Sequence, residues 1–201
     1  MKIEEKYYNI RPMIKDGDLV LFRGTKLLAK IIQHADREKI YPGSDNWLIK
    51  LLGWKQYKTA YFNHIGVVYK RYGGLFILDS QANGVESDRL SERISDYKNG
   101  DFCVIQSKND TNTADEMTKL FARQDMKDVL YDYGNGFKEL LNRRFGWNLK
   151  IKPKEDKDIC SDFVYEYALR MGMIVPFENR VAFPMDYIRY RDKDKTRIIG
   201  F

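Results

Sequence analysis

The chain has 201 residues, of which 43% are hydrophobic, 32% charged and 14% aromatic. A chain of this length and balance can bury a core without cross-links, which excludes small disulfide scaffolds, disordered polymers and fibrous repeats. The formal net charge of +6 favours anionic partners such as lipid surfaces or phosphate-bearing polymers, without selecting one.

Met1 to Lys15 carries charges but no continuous apolar stretch of the kind an export signal needs, and nowhere do roughly twenty apolar residues run together as a membrane span requires. A cytoplasmic location is therefore expected. The first strand is Asp18 to Phe22, entered through the turn pair Gly17-Asp18. Leu27, Leu28, Ile31 and Ile32 then repeat with helical spacing behind the cap candidate Thr25, which predicts a helix to Asp36. Residues 37–60, with Pro42-Gly43-Ser44-Asp45-Asn46 followed by Trp47, Leu48, Leu51, Leu52 and Trp54, read as an insertion in a single domain spanning 1–201.

Two strands follow, His64 to Lys70 and Leu75 to Asp79, joined across the hairpin signal Gly73-Gly74. A short extended piece after Asn83-Gly84, a helix near Ser91 to Tyr97 and a strand from Asp101 to Gln106 come next. Helical spacing returns in Thr113 to Gln124, in Asn135 to Phe145 and in Cys160 to Met171, the last ended by Gly172. The mixed-sign basic stretches Lys150 to Lys157 and Arg189 to Arg197 read as solvated faces. Strands clustered in the first half with helices around them predict an α+β domain with a central antiparallel sheet packed against helices.

The chain has two cysteines and two histidines. Cys103 lies in the apolar run Phe102-Cys103-Val104-Ile105 and reads as a packing residue. Cys160 opens a helix, where unpaired backbone N–H groups favour a thiolate and can also serve an oxyanion. On that helix Cys160, Val164, Ala168 and Met171 form one stripe, which aims the thiol at the sheet. His64, fixed at the start of a strand, is the candidate base, and Asp79 on the neighbouring strand can hold its ring in one tautomer. His34 follows a helical face and reads as a surface residue or as one standing behind the site. Widely scattered histidines and cysteines lack the paired spacing of a zinc site, so neither metal nor cofactor is expected.

Gly17-Asp18 before a strand, His64-Ile65-Gly66-Val67-Val68, an acidic residue closing the next strand with Asn83-Gly84-Val85 after it, Tyr131-Asp132, Cys160-Ser161-x-Phe163-Val164 and the closing Phe183-Pro184-Met185-Asp186-Tyr187 together resemble the circularly permuted NlpC-type papain-like hydrolases. These are the YiiX-like proteins, related to lecithin:retinol acyltransferase-like enzymes. The resemblance runs from about Asp16 to Tyr190. It implies a permuted papain-like fold, a nucleophile at Cys160, a base at His64 and a third polar residue at Asp79, where such proteins often have Glu; Glu86 is the alternative carboxylate. It further implies Tyr131 near the thiol, and with Asp18 this residue is a candidate for substrate or oxyanion contact. The expected activity is a cysteine hydrolase or acyltransferase working through an acyl-thioester on a peptide amide or a lipid acyl group. The alternative is a non-catalytic module of the same fold that holds an anionic polymer or lipid surface. No nucleic-acid motif is present.

Overall fold

The hairpin signal resolves one residue earlier than its glycine pair suggests. Tyr72 and Gly73 both adopt positive φ, 49° and 73°, the combination a two-residue turn needs to match the twist of the strands it joins. Those strands are β2 (His64–Arg71) and β3 (Gly74–Gln81). The computed structural model describes residues 2–25, 62–81, 84–97, 100–108, 113–125, 130–131, 138, 141–142, 149–150, 157–158, 160–176 and 184–200. The expected insertion at 37–60, His34 and nearly all of the two helices expected over Thr25–Asp36 and Asn135–Phe145 lie outside those residues.

Around the hairpin the chain builds a six-stranded antiparallel sheet. With β1 (Leu19–Arg23), β4 (Gly84–Arg89), β5 (Asp101–Ser107) and β8 (Thr196–Ile199), its order is β4-β3-β2-β1-β5-β8. A separate two-stranded parallel ladder joins β6 (Leu130–Tyr131) to β7 (Lys157–Asp158). The helices are α1 (Ile3–Ile10), α2 (Leu90–Asp96), α3 (Thr113–Asp125), α4 (Cys160–Arg170) and α5 (Pro184–Arg189). The protein is therefore α+β, with helices against both faces of an antiparallel sheet.

Alternation along the strands divides the core in two. Leu19, Leu21, Ile65, Val67, Leu78, Cys103 and Ile105 turn to one face, where Met117 and Leu120 of α3 and Phe163, Val164, Tyr167 and Ala168 of α4 cover them. Val20, Phe22, Val68, Ile77, Phe102 and Val104 turn to the other, beneath Ile3, Tyr7 and Ile10 of α1 and Leu90 and Ile94 of α2. The end of α4 is set by Gly172 at φ 63°, with Gly172 N–H donating to Leu169 O and Met173 N–H to Ala168 O. That paired closure satisfies carbonyls the helix would otherwise leave open.

The ladder strands β6 and β7, helix α5, helix α1 and strand β8 were not expected from the sequence. Helix α1 buries Ile3, Tyr7 and Ile10 at helical spacing, a pattern overshadowed by the intervening Glu4, Glu5 and Lys6. The short strand β8 starts at the end of the basic stretch read as solvated and runs beyond it, pairing Thr196 to Ile199 with β5. Because Tyr7 is 4% and its neighbour Tyr8 65% exposed, Tyr7→Ala should cost about 3 kcal/mol of unfolding free energy. Tyr8→Ala should stay within about 0.5 kcal/mol. Urea denaturation of the two variants checks this.

Candidate active site

His64 opens β2 and is 7% exposed, and Asp79 on β3 is wholly buried. Strand pairing places them side by side. Val67 opposes Leu78, so the same antiparallel register carries Gly66 opposite Asp79. Glycine is needed there, because a Cβ on Gly66 would come within 2.7 Å of the Ile77 side chain and 2.8 Å of Asp79 Cβ. The space it leaves admits the carboxylate to the imidazole, with His64 Nε2 2.5 Å from Asp79 Oδ2.

A carboxylate that receives several donors only accepts, so Nε2 carries the ring proton and, in the neutral imidazole, Nδ1 carries the lone pair. Gln81 Nε2 donates to the same Asp79 oxygen at 2.6 Å and approaches His64 Nε2 to 3.0 Å, a contact between two donors serving one acceptor. Asp79 Oδ1 receives Arg93 Nη2 from α2 at 3.3 Å. Between Asp79 and Glu86, the shorter side chain reaches the ring. Glu86, directly across the ladder from Asp79, instead lies 3.7 Å from Arg93 Nη2. Burial works against the Arg93 charge, but Asp79 and Asp88 more than offset it and hold the guanidinium above its ordinary range.

Gln81 and Arg93 were not anticipated. Gln81 had a signal, since it lies two residues beyond Asp79 on one strand and so shares its face. Arg93 had a weaker one, a cation set with Arg89 among Glu86, Asp88, Glu92 and Asp96.

Cys160 is the first residue of α4. The hydroxyl of Tyr167, two turns further on, donates to Gly17 O at 2.8 Å, beside the start of β1. The helix therefore begins roughly 10 Å away along its own axis. Its inner residues Val164 and Ala168 belong to the core of Ile65, Val67 and Leu78. His64 alternates to the opposite face, where its ring centroid lies 6.1 Å from that of Phe22 and 6.3 Å from that of Tyr97. The helix stripe meets the sheet as expected, on the face opposite the base. A helical stripe shows which side of a helix meets a sheet, but not which side of the sheet it meets.

Tyr131 pairs with Asp158 in the parallel ladder, so its backbone stands beside the segment leading into α4. The Cys160 and Tyr131 side chains lie outside what the structure describes. Asp18 does not join the group. It precedes β1 at the end remote from His64, which pairs with Phe22, four residues or about 13 Å along the strand. There Asp18 Oδ2 accepts Lys15 N–H at 2.7 Å and Gln106 Nε2 at 2.5 Å, which makes it a buried brace for the turn into β1. Cys103 is fully enclosed, and burial pushes its thiol far above the ordinary value, as a packing cysteine requires.

No family model matches the chain, and no curated protein matches it. Among solved structures the chain is similar to the crystal structure of metalloprotein YiiX from Escherichia coli O157:H7. The two are 14% identical, with 92% of this chain and 96% of that one covered, at a TM-score of 0.48. Among the described residues of this chain no group of three or more His, Cys, Asp or Glu is arranged to hold a metal ion, and no helix is long and apolar enough to cross a membrane.

The tight fit at Gly66 makes a direct test of how the pair is held. Gly66→Val should destabilise the fold by about 1–3 kcal/mol and also drive Asp79 from the ring, so that the imidazole NMR signals lose their single tautomer. A melting temperature and a His64 spectrum both unchanged would refute this packing.

Proposed function

We propose that the chain is a cysteine hydrolase or acyltransferase of the circularly permuted papain-like type, with Cys160 as nucleophile, His64 as base and Asp79 as the residue that orients the ring. The observation that carries the reading is the buried His64–Asp79 hydrogen bond, which holds the ring in one orientation through Nε2 and gives the role of base to Nδ1. The position of Cys160 at a helix start adds to it, because a thiolate is favoured there.

In this reading His64 Nδ1 takes the proton of the Cys160 thiol, and the sulfur attacks the carbonyl carbon of an amide or ester. The C–N or C–O bond breaks as the imidazolium returns its proton to the leaving group, and an acyl-thioester remains on Cys160. Water or an acyl acceptor then gives its proton to Nδ1 and attacks the thioester, releasing the acyl group and restoring the thiol. Backbone N–H groups at the start of α4 supply donors for the oxyanion. The substrate class is a peptide amide or a lipid acyl ester.

A second reading, a non-catalytic module holding an anionic polymer or lipid surface, is favoured by one observation. The inner face of α4 packs on the side of the sheet away from His64. This reading expects salt-sensitive binding to anionic vesicles or polymers that is indifferent to Cys160→Ala.

The chain has only two cysteines, so labelling with iodoacetamide and mass analysis separates the readings. The hydrolase reading expects alkylation at Cys160 in the folded protein, its loss in Cys160→Ala, and turnover lower by at least about 10³-fold in Cys160→Ala on whichever of a peptide-amide or phospholipid panel is cleaved. Labelling confined to Cys103, or turnover that survives Cys160→Ala, would overturn it.

A further inference from the structure

Arg93 contacts four carboxylates, and nothing in the acyl-transfer chemistry uses it. Its Nη2 contacts Asp79 at 3.3 Å and Glu86 at 3.7 Å and also bonds Asp88, and its Nη1 lies 3.5 Å from Asp96. One guanidinium thus stands among four carboxylates drawn from β3, β4 and α2. The guanidinium side chain is 11% exposed, and its Nε is buried without a hydrogen-bond partner, a cost borne to place the two Nη groups.

The geometry points to Arg93 as the positioning residue of the His64–Asp79 pair. Through it α2 fixes one oxygen of Asp79 and balances its charge, so that the other oxygen faces His64 and the basicity of the imidazole is set from the helix. This rests on the reading of His64 as a base, but its physical content is a property of the pair alone. Asp79 has two oxygens and three donors around it: Gln81 and His64 on Oδ2, and Arg93 on Oδ1. Without Arg93 the buried carboxylate keeps only one positive partner, a protonated His64, and that form of the ring is drawn in to replace the missing charge.

The charged and titratable groups around the imidazole, among the described residues, leave Arg93 as the nearest fixed cation to Asp79. From β3 comes Asp79 with the neutral amide of Gln81. From β4 come Glu86 and Asp88, and from α2 come Arg93 and Asp96, with Tyr97 stacked beyond. On the β1 and β5 side stand Phe22, Arg23 and Asp101. Lys6 of α1 lies over the Phe102 ring and is paired to Asp101.

With two histidines in the chain, His64 can be followed by imidazole NMR titration of the full-length protein, assigned with a His34→Gln variant. Arg93→Gln should raise the protonation midpoint of the His64–Asp79 pair by about one pH unit, and Arg93→Lys, which keeps the charge, should bring it back to within a few tenths. Where Arg93→Gln fails to fold, the double variant Glu86→Gln/Asp88→Asn, at two partly exposed positions, frees Arg93 for Asp79 and should lower the midpoint by about half a unit. A wild-type midpoint in either folded variant overturns the proposal. The titration needs no turnover and can be repeated in Cys160→Ala. Midpoints that move in a protein whose Cys160 does not react would refute the hydrolase reading and leave the role of Arg93 standing.

Discussion

The carboxylate of Asp79 is the point on which the site turns. A charge with no solvent exposure is tolerated in a fold only when partners surround it, and Asp79 has them from three directions: the imidazole of β2, the amide of its own strand and the guanidinium of α2. Each partner comes from a different part of the chain. The requirement to satisfy one buried anion therefore ties the hairpin, its edge strand and the helix after it into a single arrangement. Gly66 makes room for it, since any side chain there would occupy the space the carboxylate needs.

That arrangement also explains why a basic protein keeps an acidic pocket of charge beside β4. Glu86, Asp88 and Asp96 gather on Arg93, and their oxygens are partly wet, where an ion pair contributes little on its own. Their role is collective. Glu86 and Asp88 share the Nη2 that serves Asp79 and Asp96 holds Nη1, much as outer contacts hold the ligands of a metal centre in register.

Much of this was legible in the chain before any fold was in view. His64 and Asp79 could be brought together because a two-residue turn fixes the register of a hairpin, and register decides which side chains are neighbours. The turn itself was misplaced by one residue, since Tyr72 adopts a left-handed conformation usually left to glycine or asparagine. Asp18 stands at the other end of β1 from His64, because a Gly-Asp pair before a strand marks a turn without saying which end of the sheet that turn occupies. The face of the sheet met by α4 was beyond reach for a related reason: both faces of β2 are apolar, with Ile65 and Val67 on one and Val68 on the other. An apolar run of this kind carries no alternation by which to tell inside from outside. Helix α1 was overlooked because its buried residues are separated by charges, although Ile3, Tyr7 and Ile10 keep the helical period.

The pairing of β5 with β8 has a kinetic corollary. Ser107 lies opposite Thr196, so this edge of the sheet closes a loop spanning nearly half the chain, whereas β2 and β3 meet across two residues. Loop-closure entropy makes the second event far quicker than the first. During refolding the hairpin can be in place while the outer rim of β5 still shows unpaired backbone groups, and it is this interval that a chaperone or a neighbouring molecule would find open.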